Sequence, residues 1–437
     1  GMAKETIRSR PFDIVVYGAT GFTGEKVVKY IVEQHPEIKL AISGRNEEKL
    51  QKIASLVNLA PSCILVASLD DDPGQVEDAL RKAKIVLACA GPFRHVGREL
   101  VRAAIAAGTD YLDICGEPQF FDDMLTEFEA AARAASVLVV SACAFDCVPA
   151  ELSVTFVSRE LQRQYPGSPV TCVELVHQFF GVSRFNATTF HAAVDGFHAS
   201  MNGELSQSRK RVKDTFSVSK PPPAPDNWPN IMIESPTTFF PVYHEWTKTY
   251  LLKFMGADGA AIRNSQRYLR MRSPIHSNNS DDNSPEQPQP KLSVCLGVPT
   301  KVGAYTILGF GALFSFLAKY SWGCRLLHRY PSLFTAGYFT NEGPTDEQLE
   351  QGSFETRSVA YGWTKEQCVR ATCRGPELGY VATPKILTAL ALVVLKHRDK
   401  LPFSGGVMLP GALFGRSAET YDLLQQEGIL FEIVQQK

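Results

Sequence analysis

The sequence has almost no excess of charge of either sign. It carries 45 lysines and arginines against 46 aspartates and glutamates, which gives a formal net charge of -1 over 437 residues. Because no positive field is present to recruit phosphate backbones, the composition argues against a nucleic-acid partner. The length and the hydrophobic fraction of 44% predict a globular protein with two domains, or with one domain and a large insertion.

The ten cysteines include no C-x-x-C pair, the spacing typical of many zinc and redox sites. No secretory signal is recognised before the first predicted strand. We therefore expect buried, reduced thiols in a cytosol-facing protein that is not secreted. His191 and His198 stand two turns apart on a predicted helix, too far for a compact metal pair, so no metal site is predicted.

The most informative stretch is a glycine-rich turn between a predicted strand and a predicted helix. An apolar run over 14–17 precedes it, and apolar residues at helical spacing follow it. The turn consists of Gly18-Ala19-Thr20-Gly21-Phe22-Thr23-Gly24. Glycines at this spacing let the backbone approach a pyrophosphate, while the helix N-terminus offers N–H groups to the phosphates. The pattern favours dinucleotide binding over its alternative, a packing turn with no ligand.

An acidic residue is missing from the end of the second predicted strand, where NAD-specific folds bind the ribose hydroxyls. That strand, 39–43, ends instead in Ser43-Gly44-Arg45. Arg45 and Lys49 supply the positive charge that a 2′-phosphate requires, and the alternative is that both are solvated surface cations. The missing acid predicts NADP(H) in preference to NAD(H). Ser68, after the third strand, is placed to reach the adenine.

Strands and helices continue to alternate up to residue 141. Further strands are predicted at 64–67, 85–90, 111–115 and 137–141, with helices at 97–107 and at about 121–135. The fourth strand leads into Gly91-Pro92, beside the glycine turn, where the nicotinamide half of a dinucleotide must pass. Glu117 and Asp146 lie at or just beyond later strand ends. They are the substrate-facing candidates, and the catalytic acid stays unassigned.

Several motifs together resemble the saccharopine dehydrogenase-like oxidoreductase family, in particular its animal members. They are the glycine turn, Ser43-Gly44-Arg45, Gly91-Pro92-Phe93 with Gly97, Tyr111-Leu112-Asp113 with Gly116-Glu117, Phe145-Asp146-Cys147-Val148-Pro149, and the stretches 375–380 and 405–412. The resemblance implies an NAD(P)-dependent oxidoreductase fold and, in animal members, association with lipid droplets and membranes. No basic cluster aligns with the amino-acid pocket of authentic saccharopine dehydrogenases, so the resemblance implies no role in lysine breakdown.

These patterns predict an α/β protein whose N-terminal domain, 1–150, is a Rossmann-type doubly wound parallel sheet. A second, α+β domain for substrate binding and dimerisation is expected over 151–380. It includes a loop over 273–290 that lacks apolar residues almost entirely and is expected to be flexible. The C-terminal segment 381–437 is expected to pack back on the first domain. A sheet-mediated homodimer is the expected assembly.

A second unusual stretch, 302–318, contains no charged residue between Lys301 and Lys319. Its length is at the lower limit for crossing a bilayer, and the aromatic and basic residues after it suit a lipid headgroup level. Two interpretations stay open. The stretch contacts a lipid droplet or membrane through Phe310, Phe314 and Leu317, which share a helical face, or it is a buried core helix or dimer contact.

The function predicted from these residues is NADP(H)-dependent hydride transfer to a small-molecule substrate of unknown identity, with a lipid-associated substrate as one option. The alternative, from another class, is a non-catalytic NADP(H)-binding sensor or scaffold at a lipid surface. Measured oxidation or reduction of the cofactor would distinguish the enzyme from the sensor or scaffold.

Overall fold

The computed structural model describes residues 10–435, except 71, 182–183, 217–222, 232, 234, 238–239 and 273–287. Most of the predicted loop 273–290 therefore lies outside the described residues. In chain order the strands are β1 (Phe12–Tyr17), β2 (Leu40–Gly44), β3 (Ile64–Val66), β4 (Ala83–Ala88), β5 (Asp110–Asp113), β6 (Leu138–Val140), β7 (Cys172–Phe180), β8 (Phe185–Asn186), β9 (Val242–His244), β10 (Thr249–Lys253), β11 (Lys291–Val298), β12 (Phe339–Thr340), β13 (Ser353–Tyr361), β14 (Cys368–Pro376), β15 (Gly406–Met408) and β16 (Leu430–Val434).

The α-helices, in the same order, are α1 (Phe22–Gln34), α2 (Glu47–Leu56), α3 (Pro73–Leu80), α4 (Phe93–Ala107), α5 (Pro118–Ala134), α6 (Val148–Gln164), α7 (Ala187–Met201), α8 (Glu204–Phe216), α9 (Asp258–Met271), α10 (Lys301–Ala318), α11 (Ser321–Arg329), α12 (Pro331–Phe334), α13 (Asp346–Gln351), α14 (Thr383–His397), α15 (Pro410–Phe414) and α16 (Ala418–Gln426). The chain divides into two compact units. The first runs to Phe145 and resumes over Gly379–Glu427, and the second comprises Asp146–Leu378 and the residues from Gly428 onward.

A seven-stranded parallel sheet forms the centre of the first unit, in the order β15-β6-β5-β4-β1-β2-β3. Strands β1 and β4 are continuous apolar runs because both faces of a parallel sheet are covered. The order of the first six strands is that of a Rossmann-type doubly wound fold, so the predicted fold class is confirmed. The sequence analysis did not identify β15 as a strand, because it is three residues long and pairs with the distant β6.

The second unit contains a mixed sheet in the order β16-β14-β13-β7-β11-β10-β9. Strands β7 and β11 pair in parallel, and the other neighbours pair antiparallel. Helices α6 and α9 cover one face, where Val157, Leu161 and Ile262 pack against Val173 and Ala360. This arrangement confirms the predicted α+β character of the second region.

The position of strand β16 differs from the expectation for the C-terminal segment. It was expected to return with the rest of 381–437 to the first domain, but it pairs antiparallel with β14 at the edge of the second sheet. The reason is the packing of Phe431 and Ile433, which share one face of the strand. Phe431 contacts Phe156 of α6, with ring centroids 5.7 Å apart, and Ile433 packs against the core beneath the same helix.

Two helical segments are long and apolar enough to cross a membrane by length and composition, within the part of the chain that the structure describes. The first, Leu378–Lys400, includes α14 and is 72% buried, as expected for a core helix. The second is α10, which is only 17% buried. The interpretation of 302–318 as a buried core helix is therefore wrong for this chain.

The predicted inserted face of α10 is also wrong. Leu317 is buried in a core cluster with Phe190 and Val194 of α7, and Phe314 packs against that cluster. Of the three predicted residues only Phe310 is exposed, and the other exposed large apolar side chains of the helix are Val302, Tyr305, Ile307, Leu313 and Phe316. Helical periodicity alone could not choose between faces, since apolar residues surround the whole helix.

Candidate functional site

The glycine turn connects β1 to α1 in the first unit. Gly18 has a φ of 82°, in the left-handed region that favours glycine, and a Cβ there would lie 2.6 Å from the Ala90 nitrogen. A Cβ on Gly24 would lie 2.2 Å from the Gly18 carbonyl oxygen. These two glycines therefore let the turn close against its own helix and against Ala90, just beyond β4.

Gly21 differs from its two neighbours in the motif. It is exposed, its φ is -78°, and a Cβ there would meet no atom closer than the Gly18 carbonyl oxygen at 3.3 Å. Among the described residues no side chain caps the start of α1 at Gly21. The turn thus presents an accessible backbone and the N–H groups of a helix start, the features that bind a pyrophosphate.

Hydrogen bonds bring the ends of β2 and β4 to the same turn. The Gly18 N–H donates to the Ser43 carbonyl at 2.9 Å, and the Cys89 N–H donates to the Tyr17 carbonyl at 2.8 Å. Because Cys89 and Ala90 run directly into Gly91-Pro92, the predicted phosphate, ribose and nicotinamide segments meet at one sheet edge. Ala19, Thr20, Phe22 and Thr23 complete the turn, and the Phe22 ring packs edge-on against Tyr380 at 4.7 Å.

The predicted ribose-phosphate residues have different environments. Ser43 is buried, and its hydroxyl donates to the Leu65 carbonyl at 2.7 Å. Arg45 is exposed, with Nη1 3.3 Å from Asp70 Oδ2. Lys49 is exposed in the first turn of α2, whose N-cap Asn46 accepts from the Lys49 N–H.

Backbone hydrogen bonds hold the loop after β3 against the end of β2. The Gly44 carbonyl, at the end of β2, accepts from the Ala67 N–H at 3.0 Å. Ser68 follows directly and is buried, and its carbonyl accepts from the Asp72 N–H at 3.2 Å. The loop after β3 is therefore tied to the end of β2, and Arg45 contacts Asp70 of that loop.

Glu117 has a structural partner. It is the N-cap residue of α5, and its Oε2 accepts from Arg94 Nε at 3.1 Å. Both side chains are mostly buried, so the pair joins the starts of α4 and α5. The structure thus places this substrate-facing candidate in an ion pair between two helix starts.

Asp113 fixes the loops that leave β5 and β6. Its carboxylate accepts from the backbone N–H groups of Cys115 and Ala142, both at 2.9 Å, and from the Ser141 hydroxyl at 2.8 Å. Burial raises the pKa of Asp113 to about 6 in spite of these donors. Within the motif Tyr111-Leu112-Asp113, Asp113 therefore holds the loops after β5 and β6 in place.

Asp146, the other substrate-facing candidate, is the first residue of the second unit. It is exposed at the start of the segment that enters α6, and crowding by protein atoms raises the pKa of its carboxyl to about 6. Within the same unit the sequence analysis missed His177 and Asp258, whose side chains are buried with Nε2 3.9 Å from Oδ1. Neither residue belongs to a recognisable motif.

The saccharopine dehydrogenase NADP binding domain is the family model that matches this chain, over residues 14–140. A saccharopine dehydrogenase-like oxidoreductase of Mus musculus is 31% identical over 453 residues, covering 97% of this chain and 98% of the mouse protein. The chain belongs to the saccharopine dehydrogenase-like oxidoreductase family. The matched range of this family member includes the glycine turn, Arg45 and Gly91-Pro92.

Two more similarities concern relatives of this saccharopine dehydrogenase-like oxidoreductase. A protein of Caenorhabditis elegans named lipid droplet localized protein is 30% identical over 451 residues, covering 97% of this chain and 98% of the worm protein. The solved structure of apo saccharopine dehydrogenase (L-Glu forming) from Saccharomyces cerevisiae aligns with a TM-score of 0.52 at 12% identity, over 97% of this chain and 100% of that one. At this identity the likeness shows a shared fold.

Proposed function

We propose that this family member is an NADP(H)-dependent oxidoreductase that transfers hydride to a small-molecule substrate while it rests on a lipid droplet or membrane surface. The observation that carries the redox part is the glycine turn, where Gly21 is exposed at an uncapped helix start. When bound, the nicotinamide supplies the hydride chemistry. The chain's own residues hold the pyrophosphate at the turn and leave the Gly91-Pro92 edge for the nicotinamide half.

The proposed preference for NADP(H) rests on the end of β2. Arg45 is exposed, and its partner Asp70 is exposed too, so their contact at 3.3 Å is worth at most about 1 kcal/mol. A 2′-phosphate offers the guanidinium a stronger, bidentate partner, and Lys49 adds a second cation one turn along. No carboxylate stands at the end of β2 itself to select the ribose hydroxyls of NAD(H).

The proposed lipid contact rests on α10 and the helix after it. Side chains along α10 stay exposed although they are apolar, with Phe316 57% and Val302 78% accessible. Trp322 and Tyr330 are also exposed, beside basic residues of α11. This combination of an apolar helix with aromatic and basic neighbours suits a lipid headgroup boundary. The name of the worm relative supports the same location.

We further propose that α10 lies along the surface and does not span it. Ala304 packs near one end with Leu252 and Val298, and Leu317 and Ala318 pack near the other end with α7 and α11. A helix held to its own unit at both ends cannot cross a bilayer without breaking those clusters. Each large apolar side chain that it inserts contributes about 1.5–3 kcal/mol, enough in combination for peripheral binding.

The test has two steps. Fluorescence titration of the purified protein with NADPH and NADH is expected to show tighter binding of NADPH, and equal affinities would overturn the cofactor assignment. NADPH oxidation is then followed with artificial lipid droplets carrying aldehydes, ketones and enones. Turnover supports the enzyme, whereas tight NADPH binding without oxidation across the panel supports the alternative, a non-catalytic sensor at a lipid surface.

A further inference from the structure

The segment 301–341, which contains α10 and α11, differs in charge from the rest of the chain. It carries four cations, Lys301, Lys319, Arg325 and Arg329, and no aspartate or glutamate, whereas the whole chain has a formal net charge of -1. All four cations are exposed, and the segment lies within the second unit. The exposed apolar helix α10 is therefore bounded by positive charge and has no acidic residue of its own.

These four cations are free to meet an external anion. Within the part of the chain that the structure describes, none of them forms an ion pair with a carboxylate. Other exposed cations of the second unit do, as Arg163 does with Glu160. The carboxylate of Asp195 on α7 approaches α11, but its Oδ1 lies 2.8 Å from Nε2 of His328. The positive charge of the segment is thus not neutralised by the protein itself.

The side chains of α11 divide into a packed face and an exposed face. Cys324 and Leu327 are buried in the cluster that α11 shares with α7. Trp322, Arg325 and Arg329 are exposed, and their spacing of three and then four residues places them on one side of the helix. Helix α11 therefore presents an aromatic ring followed by two guanidinium groups on the side that does not pack.

Ring contacts join this face of α11 to the apolar face of α10. The exposed Phe316 ring of α10 packs edge-on against Tyr320, with centroids 5.7 Å apart, and Tyr320 stacks with Trp322 at 6.0 Å. Lys319 Nζ lies 5.7 Å from the centroid of the Tyr320 ring. The apolar side chains of α10, the aromatic pair and the cations therefore form one continuous surface, which we call the α10–α11 surface.

Each part of this surface suits a different depth of a lipid layer. Large apolar side chains enter the acyl region, and Trp and Tyr favour the headgroup level. Lys and Arg at that level strengthen binding to an anionic layer by about fivefold each, but they add little on a neutral one. Because the unpaired cations adjoin the aromatic rings, they lie at the depth of the headgroups when α10 is inserted.

We propose that the α10–α11 surface selects an anionic phospholipid layer, with Lys319, Arg325 and Arg329 contacting the negatively charged headgroups while α10 inserts its exposed apolar side chains. This inference rests on the proposed lipid contact and adds the charge of the lipid partner. The partner is an assembled lipid surface, because the cations are distributed over two helices beside apolar side chains that acyl chains would cover.

The first experiment compares two kinds of vesicle. Cosedimentation measures binding of the wild type to phosphatidylcholine vesicles and to vesicles that also contain about 30% phosphatidylserine. Binding to the anionic vesicles is expected to be at least about 30-fold tighter at low salt. Raising NaCl from about 0.05 M to about 0.5 M should remove most of this difference, because salt screens exposed charges. Equal affinity for both vesicles would overturn the inference.

The second experiment removes two charges from α11. The double variant Arg325→Gln and Arg329→Gln is expected to bind the anionic vesicles about 25-fold more weakly and to bind phosphatidylcholine vesicles as the wild type does. The matched control is Lys52→Gln with Arg163→Gln, which removes the same charge from exposed positions on α2 and α6. Its affinity for the anionic vesicles should stay within about threefold of the wild type. Both double variants should keep the wild-type melting temperature, since all four side chains are exposed.

The possible failures are distinguishable. A wild type that binds neither kind of vesicle overturns the proposed lipid contact. A wild type that binds both equally, or a control pair that weakens binding as much as the α11 pair, overturns this inference alone. Displacement of the protein from anionic vesicles by soluble glycerophosphoserine would overturn the assignment to a lipid surface in favour of a site for a single headgroup.

Discussion

The imidazole Nε2 of His35 lies 2.8 Å from Oε1 of Glu427. His35 closes the C-terminal end of α1, and Glu427 closes the end of α16, so the contact joins two distant parts of the first unit. Tyr30 donates to the other carboxyl oxygen, and Lys385 Nζ donates to the Glu427 carbonyl at 3.1 Å. The carboxyl group is mostly buried by these neighbours.

The first prediction concerns pH. Burial raises the pKa of Glu427 from 4.5 to about 7, so the folded state holds this proton more tightly than the unfolded state. Its contribution to stability is complete below pH 4.5, falls between pH 4.5 and 7 as the unfolded state alone releases the proton, and is absent above pH 7. The loss amounts to about 3 kcal/mol for an unscreened group.

Glu427→Gln keeps the shape and removes the titration. Urea denaturation at pH 5, 6, 7 and 8 is expected to show a midpoint that falls with pH in the wild type and changes less in the variant. Glu37→Gln is the control, since Glu37 is an exposed neighbour of the same histidine. Identical pH slopes in the wild type and in Glu427→Gln would contradict the prediction.

The second prediction concerns the choice of cofactor. Arg45→Ala removes a charge-assisted contact worth about 1.5–3 kcal/mol, so NADPH affinity should fall about 10- to 100-fold while NADH affinity changes little. Asp70→Asn should tighten NADPH binding a few-fold, because it frees the guanidinium from a competing carboxylate. Lys52→Ala, an exposed cation on the outer part of α2, is the control and should leave both affinities unchanged. Fluorescence titration measures all three variants.

The third prediction separates the glycines of the turn. Gly21→Val places a branched side chain where a pyrophosphate must approach, so NADPH binding should be lost while the circular dichroism spectrum and melting temperature change little. Gly24→Ala should instead lower the melting temperature, since its Cβ would lie 2.2 Å from the Gly18 carbonyl oxygen. Normal NADPH binding by folded Gly21→Val would mean that the phosphates bind elsewhere.

The fourth prediction concerns α10. Replacing the exposed residues Phe310, Leu313 and Phe316 with Ser should release the protein from artificial lipid droplets in a flotation assay, with an unchanged melting temperature and NADPH affinity. Phe314→Ser is the control on the packed face, because its ring lies 5.8 Å from Phe190 and 5.5 Å from Phe197.

Phe314→Ser should lower stability by at most about 3–5 kcal/mol through lost packing against the cluster on α7, since Phe314 is partly buried. Its effect on flotation should follow only from unfolding. A wild type that does not float, or a triple variant that floats normally, would contradict a lipid contact at this helix.

The sequence alone predicted the elements whose signals lie within one short stretch of residues. Apolar runs and turn residues located the strands up to β6, and α4 ends at Gly108, with a φ of 65°, directly after the predicted helix boundary at 107. The glycine turn could be found for the same reason, since strand, turn and helix are contiguous. The predicted fold class followed from this alternation.

Contacts between residues far apart in the sequence could not be predicted from such local patterns. His177 and Asp258 meet only because α9 packs on the sheet that contains β7, and nothing within either element's sequence specifies the partner. The exposed face of α10 was misassigned because every face of that helix is apolar, so only its contacts with α7 and α11 distinguish them. Strand β16 pairs with β14, although 381–437 was expected to pack on the first domain, because its pairing depends on contacts with the distant helix α6.

The strands β15 and β16 bear on how this chain folds during synthesis. β15 completes the edge of one sheet and β16 completes the edge of the other, and both are made after more than nine-tenths of the sequence. Until they emerge from the ribosome, β6 and β14 are open edges able to pair with other chains. A nascent chain stalled before residue 406 would therefore expose the unpaired edges of β6 and β14 at the same time, and both edges could pair with other chains.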